Sequence, residues 1–241
     1  MKTESTVSHA FTKSVVLGDK TPAMIRFAVP ADASRLADIE RFVWSAEHAA
    51  SLETIRRRID LNSAGTLVLC DKDERQYWGF YSLVPVEERD SSSLNNWDYY
   101  AKLAISEEHF RHSRRLTHMH SVSLTVADEA PRRAATMLVR VAAEYSRCAN
   151  LQGATIVTRA PRYHRYSSRM EFSDYYAALA NGSLQEPSFR LCMNAGGIPD
   201  GFLPDYFEDP ESCNYGLVFR FPSPLQLRGV GPHKAIISVH G

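Results

Sequence analysis

One stretch constrains the fold of this chain more than any other. From Met119 to Val126 the side chains alternate in character: His120, Val122, Leu124 and Val126 share one face, and Ser121, Ser123 and Thr125 share the other. A period of two marks a strand whose faces meet different surroundings. A short loop, Ala127 to Arg133, follows. Met137, Leu138, Val141, Tyr145 and Cys148 then recur at helical spacing, with Arg140, Glu144 and Arg147 on the opposite side. Gly153 ends that unit, and Ala154 to Thr158 reads as another strand. Strand, loop, helix, strand is a crossover unit, which sets its two strands parallel. The fold class is α/β.

The flanks extend this pattern. Ala23 to Val29 is a strand candidate, and Pro30 suits the first turn of a helix over Ala31 to Val43, with Leu36, Ile39, Phe42 and Val43 at helical spacing. A second helix spans Ser51 to Leu61, with Leu52, Ile55 and Ile59 on one face and Arg56, Arg57 and Arg58 toward solvent. Gly65 to Cys70 and Gln76 to Val84 flank a polar turn and read as an antiparallel hairpin that Pro85 ends. Glu87 to Arg115 is irregular. After Pro161 come helices over Glu171 to Asn181 and Pro187 to Asn194, then strands over Ile198 to Leu203 and Tyr215 to Phe221. The expected organisation is a loose polar leader (1–22), one domain (23–221) and a tail (222–241) in which only the apolar run Ala235 to Val239 stands out.

Composition excludes some functions. The chain has 241 residues with 28 basic and 28 acidic side chains, a formal net charge of zero. That balance argues against general binding to nucleic acid or a membrane surface, both of which call for a basic excess. Cys70, Cys148, Cys192 and Cys213 include no close pair, so neither a disulfide framework nor a metal site is expected. Met1 to Lys20 lacks an apolar run of signal-peptide length, and no stretch nears the roughly 18 apolar residues of a membrane span. A soluble cytoplasmic protein is the expectation.

The order of elements, with Ile25-Arg26-Phe27-Ala28-Val29-Pro30-Ala31-Asp32-Ala33 as a strand running into a helix, resembles the GNAT N-acyltransferase superfamily. Tyr163-His164-Arg165-Tyr166, Arg169-Met170, Gly182, Pro187, Gly196-Gly197, Leu203-Pro204-Asp205-Tyr206 and Asp209-Pro210-Glu211-Ser212 are similar to a GNAT subgroup with an extended segment after the fifth strand. The resemblance implies attack of a small-molecule amine on the carbonyl of an acyl-CoA or an acyl carrier protein thioester. It places backbone contacts to the thioester at Leu124 to Val126. The pyrophosphate loop of that family, Gln/Arg-x-x-Gly-x-Gly/Ala, falls on Ala130 to Thr136, where Arg132, Arg133, Ala134, Ala135 and Thr136 would take its place. Here no glycine remains, and Pro131 lacks an N–H. Arginine side chains can replace backbone contacts to phosphate, so CoA with altered contacts, a carrier protein without CoA, and a non-catalytic GNAT-like protein that binds a ligand or partner all stay open.

The reaction needs a base for the amine and an acid for the leaving thiolate. His120 and Glu129 are the base candidates. Tyr206 and Tyr145 are the acid candidates, with Tyr145 also fitting a core position. Asp205 and Glu208 form an acidic edge suited to an amine. The donor-rich Tyr163, His164, Arg165, Tyr166 and Arg169 suit either substrate binding or a network that pins the segment down. Thr158 resembles a position used by GNAT-like decarboxylases of polyketide loading modules, but Cys192 stands where those carry a histidine. Finally, eight arginines face one acid from Ala130 to Met170, and eight acids face one arginine from Glu171 to Glu211. The expectation is an anionic donor on one side and a cationic acceptor on the other.

Overall fold

The computed structural model describes residues 11–46, 48–87, 89, 93–112, 116–148 and 151–222. The strands are β1 (Thr12–Val16), β2 (Pro22–Phe27), β3 (Thr66–Cys70), β4 (Tyr77–Val86), β5 (His118–Val126), β6 (Gly153–Arg159), β7 (Ile198–Leu203) and β8 (Gly216–Pro222). The helices are α1 (Ala33–Val43), α2 (Leu52–Leu61), α3 (Trp97–Leu103), α4 (Glu107–His112), α5 (Ala134–Cys148), α6 (Phe172–Ala180) and α7 (Pro187–Asn194). The sheet is mixed, in the order β1-β2-β3-β4-β5-β6-β8-β7. The chain divides into two compact units: residues up to Ser82 with Ser123–Leu138, and Leu83–Val122 with the chain from Val139.

In the first unit, β1 to β4 pair antiparallel in chain order. Every residue of β3 is buried. Leu36 and Ala37 of α1 and Ile55 and Ile59 of α2 pack on Val68 and Phe80. Burying a Leu, Ile or Phe side chain stabilises by roughly 1.5–3 kcal/mol each. The Pro-Ala-Asp corner between β2 and α1 has a physical cause. Asp32 accepts two hydrogen bonds from Arg26, at 2.7 and 2.9 Å, and one from the Val29 N–H at 2.7 Å. The bond to Asp32 outweighs burial and holds Arg26 protonated well above its ordinary range. Ser51 caps α2 through the Thr54 N–H.

In the second unit, β5 and β6 pair in parallel from His118↔Gly153 to His120↔Thr155. β6 pairs antiparallel with β8 over its whole length, and β7 closes on β8. Val84, Val86, Tyr100, Ala104, Val122, Val157, Tyr206 and Val218 form one core. A second, aromatic cluster joins Tyr163, Phe172, Tyr175 and Tyr215.

Several expectations change. The segment read as a loose leader carries β1, which pairs with β2 from Thr12↔Arg26 to Val16↔Pro22. Pro85 does not end β4. Pairing with β3 stops at Ser82, so the missing proline N–H leaves no gap in that ladder. The irregular stretch before β5 holds α3 and α4, of seven and six residues. The buried stripe of α1 is Ala33, Leu36, Ala37 and Glu40, and Phe42 is 91% exposed. Arg58, expected in solvent, is 5% exposed because it follows Ile55 by three positions on the buried side of α2. The run Ala235 to Val239 lies outside the described residues.

Candidate functional site

In the first unit, the end of β5 runs through a loop into α5. Gly79 allows β4 to approach closely here: a Cβ at that position would lie 2.5 Å from the Thr125 carbonyl oxygen and 3.0 Å from Val126 Cα. The Ala127 N–H reaches the Trp78 carbonyl at 2.9 Å. Leu124 and Val126 are half-buried beside the buried Thr125. In the loop, Arg133 takes a left-handed φ of 70°, a conformation that favours glycine. The Arg132 carbonyl accepts the Gly18 N–H at 2.9 Å, so the β1–β2 turn braces the loop. The side chains of Arg132 and Arg133 are exposed, Ala134 is buried, and Ala135 and Thr136 are half-buried at the start of α5. Glu129 is exposed in the loop.

The same unit holds a buried polar network that the sequence reading missed. Glu40 on α1 is 2% exposed. One of its carboxylate oxygens accepts the Thr125 hydroxyl proton at 2.5 Å and the other accepts the Ala50 N–H at 3.2 Å. Thr125 Oγ1 also accepts the Trp44 indole N–H at 2.9 Å and lies 3.2 Å from Ser123 Oγ. Burial raises the Glu40 pKa above the usual carboxylate range, against the hydrogen bonds and the charge of Arg58. Arg58 Nε and Nη1 are buried without a hydrogen-bond partner among the described residues. Position gives both residues away: Glu40 lies seven residues after Ala33 on a stripe that is otherwise apolar, which is core spacing.

In the second unit, His120 and Tyr206, both candidates from sequence, come together. His120 Nε2 and the Tyr206 hydroxyl are 2.7 Å apart. The imidazole is fully buried and stacks on Tyr100 with ring centres 3.5 Å apart. Burial, with His118 and Arg220 adding to it, holds His120 neutral, its pKa well below the usual histidine value. Tyr206 is 3% exposed. Gly216 makes room for it, since a Cβ there would lie 3.1 Å from Tyr206 Cβ and 2.5 Å from Val157 Cγ1. Trp97 ties this region together: its backbone N–H reaches the Tyr206 carbonyl at 3.0 Å and its indole N–H the Val122 carbonyl at 2.7 Å.

The other candidates separate. Tyr163 is buried in the aromatic cluster and gives its hydroxyl proton to the Met170 carbonyl at 3.0 Å, an internal pin of the extended segment. Arg165 and Arg169 are exposed, with Arg169 over the Tyr166 ring. Thr158 is half-buried in β6 opposite Leu217. Cys192 is buried, which pushes its thiol up to about 12. Tyr145 is half-buried, and Asp205 and Glu208 are exposed. The two opposite runs of charge meet rather than stand apart: Arg159 makes a two-pronged pair with Asp209, at 2.7 and 2.8 Å, and reaches Glu211 at 3.1 Å. Asp209 is buried, and a buried carboxylate needs such a partner. Asp209 also caps the turn Pro210–Ser212, so the Asp-Pro-Glu-Ser motif has a structural use. Among the described residues no group of three or more His, Cys, Asp or Glu side chains could hold a metal ion, and no helix is long and apolar enough to cross a membrane.

No protein-family model and no curated protein sequence matches the chain. Solved structures do. The GphF GNAT-like decarboxylase in complex with isobutyryl-CoA superposes with a TM-score of 0.65 at 18% identity, covering 82% of this chain and 98% of that one. The loading GNATL domain of CurA from Lyngbya majuscula gives 0.66 at 19% identity, covering 83% and 97%. The ribosomal-protein-S5-alanine acetyltransferase from Vibrio fischeri gives 0.52 at 12% identity, covering 88% and 97%. With this strand order and these superpositions, the chain carries the mixed α/β GNAT fold.

Proposed function

We propose that the protein transfers an acyl group from a thioester, of CoA or of an acyl carrier protein, to the amine of a small molecule. The observation that carries this reading is the segment from Leu124 to Thr136. It joins a strand end to the first turn of a fifteen-residue helix through a loop with Arg133 in a left-handed conformation. Backbone N–H groups at such a helix start suit a diphosphate, and a left-handed residue turns successive N–H groups toward one point. Small side chains at Ala134 and Ala135 keep that backbone approachable, and the exposed Arg132 and Arg133 add charge. Arg165 and Arg169, both exposed, are the proposed contacts for a carboxylate-bearing substrate. Tyr206, the expected acid for the leaving thiolate, is 3% exposed and engaged by His120, so in this reading the thiolate takes its proton from solvent. Free-thiol release on mixing the protein with acyl-CoA or acyl carrier protein and a panel of amines tests the reading. No release with any donor, together with no thermal shift on adding CoA, removes it.

A second reading, decarboxylation or acyl loading, is favoured by one observation: the two superpositions at 0.65 and 0.66 are with a GNAT-like decarboxylase and a loading domain. Formation of acetyl thioester from malonyl thioester tests it. Thr158→Ala separates its residues from those of transfer, and an unchanged rate in that variant removes Thr158 from the reaction. Cys192 weighs against this reading, because a buried thiol with a pKa of about 12 cannot move protons near neutral pH as an imidazole does.

A further inference from the structure

We propose that Ser123, Thr125 and Glu40 form a proton relay that accepts the proton released by the attacking amine, with Glu40 as its buried end. The relay rests on the acyl-transfer reading above and supplies the base that reading lacks. The two base candidates from sequence fit poorly: Glu129 is an exposed loop carboxylate, and His120 is fully buried with its Nε2 engaged by Tyr206.

Hydrogen-bond capacity fixes the direction of the relay. A threonine hydroxyl has one proton to give and two lone pairs to accept with. The Thr125 proton goes to Glu40 and one lone pair takes the Trp44 N–H. Ser123, 3.2 Å from Thr125 and itself a hydrogen-bond partner of Glu40, must therefore give its one proton to Thr125 or straight to Glu40. Either way the protons point one way, from Ser123 toward Glu40. Burial grades along the same path: Ser123 is half-buried, while Thr125 is fully buried and Glu40 nearly so. Ser123 and Thr125 also flank Leu124, whose backbone is the proposed contact for the thioester.

The step balances. The amine nitrogen adds to the thioester carbonyl carbon, forming the C–N bond, and the carbonyl electron pair moves to oxygen. The proton on the now cationic nitrogen passes to Ser123 Oγ as the Ser123 proton moves to Thr125 Oγ1 and the Thr125 proton to Glu40. The C=O bond then re-forms, the C–S bond breaks, and the thiolate leaves with its electron pair. Glu40 returns its proton to solvent along the same hydroxyls. Ser123 is thus the residue at the reacting atoms, and Thr125 and Glu40 act through it.

The surroundings of Glu40 suit this use. From α2 it feels the charge of Arg58, from β5 it meets the hydroxyls of Thr125 and Ser123, and from the α1–α2 connection it takes the Ala50 N–H. Burial moves the carboxyl toward neutral pH, where a base works best. Trp44 and the close approach allowed by Gly79 hold Thr125 in place.

The test is steady-state thiol release by the full chain with an acyl-CoA and an amine that the wild type accepts, as a function of pH. Glu40→Gln should lower kcat/KM on the order of 10²-fold or more, remove the acidic limb of the profile, and leave the KM for the acyl donor unchanged. Thr125→Ser should keep most of the rate, Thr125→Val should lose most of it, and the coupled proton transfers should show in the solvent isotope effect of the wild type. A Glu40→Gln protein with the wild-type rate and acidic limb overturns the relay and spares the acyl-transfer reading. A wild type that releases no thiol with any donor overturns both. If Glu40→Gln does not fold, Ser123→Ala decides, at the half-buried end: loss of rate with an unchanged melting temperature supports the relay, and a wild-type rate and profile overturns it.

Discussion

Of the polar networks this molecule buries, the one around Glu40 in the first unit and the one around His120 in the second are built on opposite principles. In the first unit the buried group is an acid, Glu40, served by two hydroxyls and the Ala50 N–H and influenced by the charge of Arg58. In the second it is a neutral base, His120, pressed between Tyr100 and the Tyr206 hydroxyl, with the neutral His118 close by on the same strand. The first network has a half-buried hydroxyl, Ser123, at one end. In the second, His118, His120 and Tyr206 are each 3% exposed or less. A network that must exchange protons needs an outlet and a charge to steady its ionised form. One that must only hold a side chain in place is better dry and neutral. The difference teaches that a histidine beside a tyrosine is not the stronger candidate for a base merely because its ordinary pKa lies near neutrality.

The largest effect that can break this contrast is acid titration. Burial holds the folded His118 pKa at about 4 against an ordinary 6.5. Between those values the unfolded chain binds more protons, so stability falls as pH drops below about 6.5 and levels off below about 4. A shift of this size is worth roughly 3 kcal/mol. Glu40 has the opposite sign. Its folded pKa is raised, so its contribution is present at low pH and lost as pH rises through the folded value. Urea unfolding from below pH 4 upward should show His118→Gln flattening the loss as pH falls and Glu40→Gln flattening the loss as pH rises. Equal slopes in both variants would sink the contrast.

Next in size is Gly79→Ala. Its Cβ meets backbone, the Thr125 carbonyl oxygen at 2.5 Å, so β4 and β5 must separate. Overpacking of this kind costs about 1–3 kcal/mol. Gly216→Ala meets mainly side chains, Val157 and Tyr206, and should cost less by the same unfolding assay. Tyr206→Phe leaves the buried His120 Nε2 without its partner at 2.7 Å, a loss of about 1–3 kcal/mol in a site this dry. Thermal unfolding checks it, and an unchanged melting temperature would show that the pair is not a structural clamp. The smallest effect is Arg133→Gly, which relieves a φ of 70°. A gain on the order of 0.5–1 kcal/mol is expected, limited by the extra freedom of glycine in the unfolded chain.

Much of the fold was legible in the sequence because periodicity follows burial. The alternation along Ser121 to Val126 and the helical spacing from Met137 to Cys148 gave the parallel crossover that β5, α5 and β6 form. α3 and α4 were not legible: at seven and six residues they complete too few turns to show a stripe. His120 and Tyr206 were both singled out, but nothing local ties residues 86 positions apart. Glu40 and Arg58 were missed for a different reason. Charged residues on helices are ordinarily solvated, and the position of Glu40 on the stripe of Ala33, Leu36 and Ala37 carries weight only once that habit is set aside. Tyr163 resolves an open choice: of the two uses its donor-rich motif allowed, its hydroxyl fastens its own segment at Met170.

The first unit is not contiguous in the chain, and this bears on how the protein comes to exist. Glu40 must wait for Thr125, 85 positions later, before its carboxylate finds a hydroxyl. Contacts of such separation close large loops, and their entropic cost must be met before they return any stability, which slows folding. A nascent chain that has emerged only as far as Ser82 therefore exposes a helix carrying an acid on its apolar stripe, with the Ala50 N–H and the charge of Arg58 but no hydroxyl of β5 to receive it. The hydroxyl-rich strand that completes this unit is also the one proposed to serve catalysis, so a growing chain cannot acquire the relay before the first unit closes.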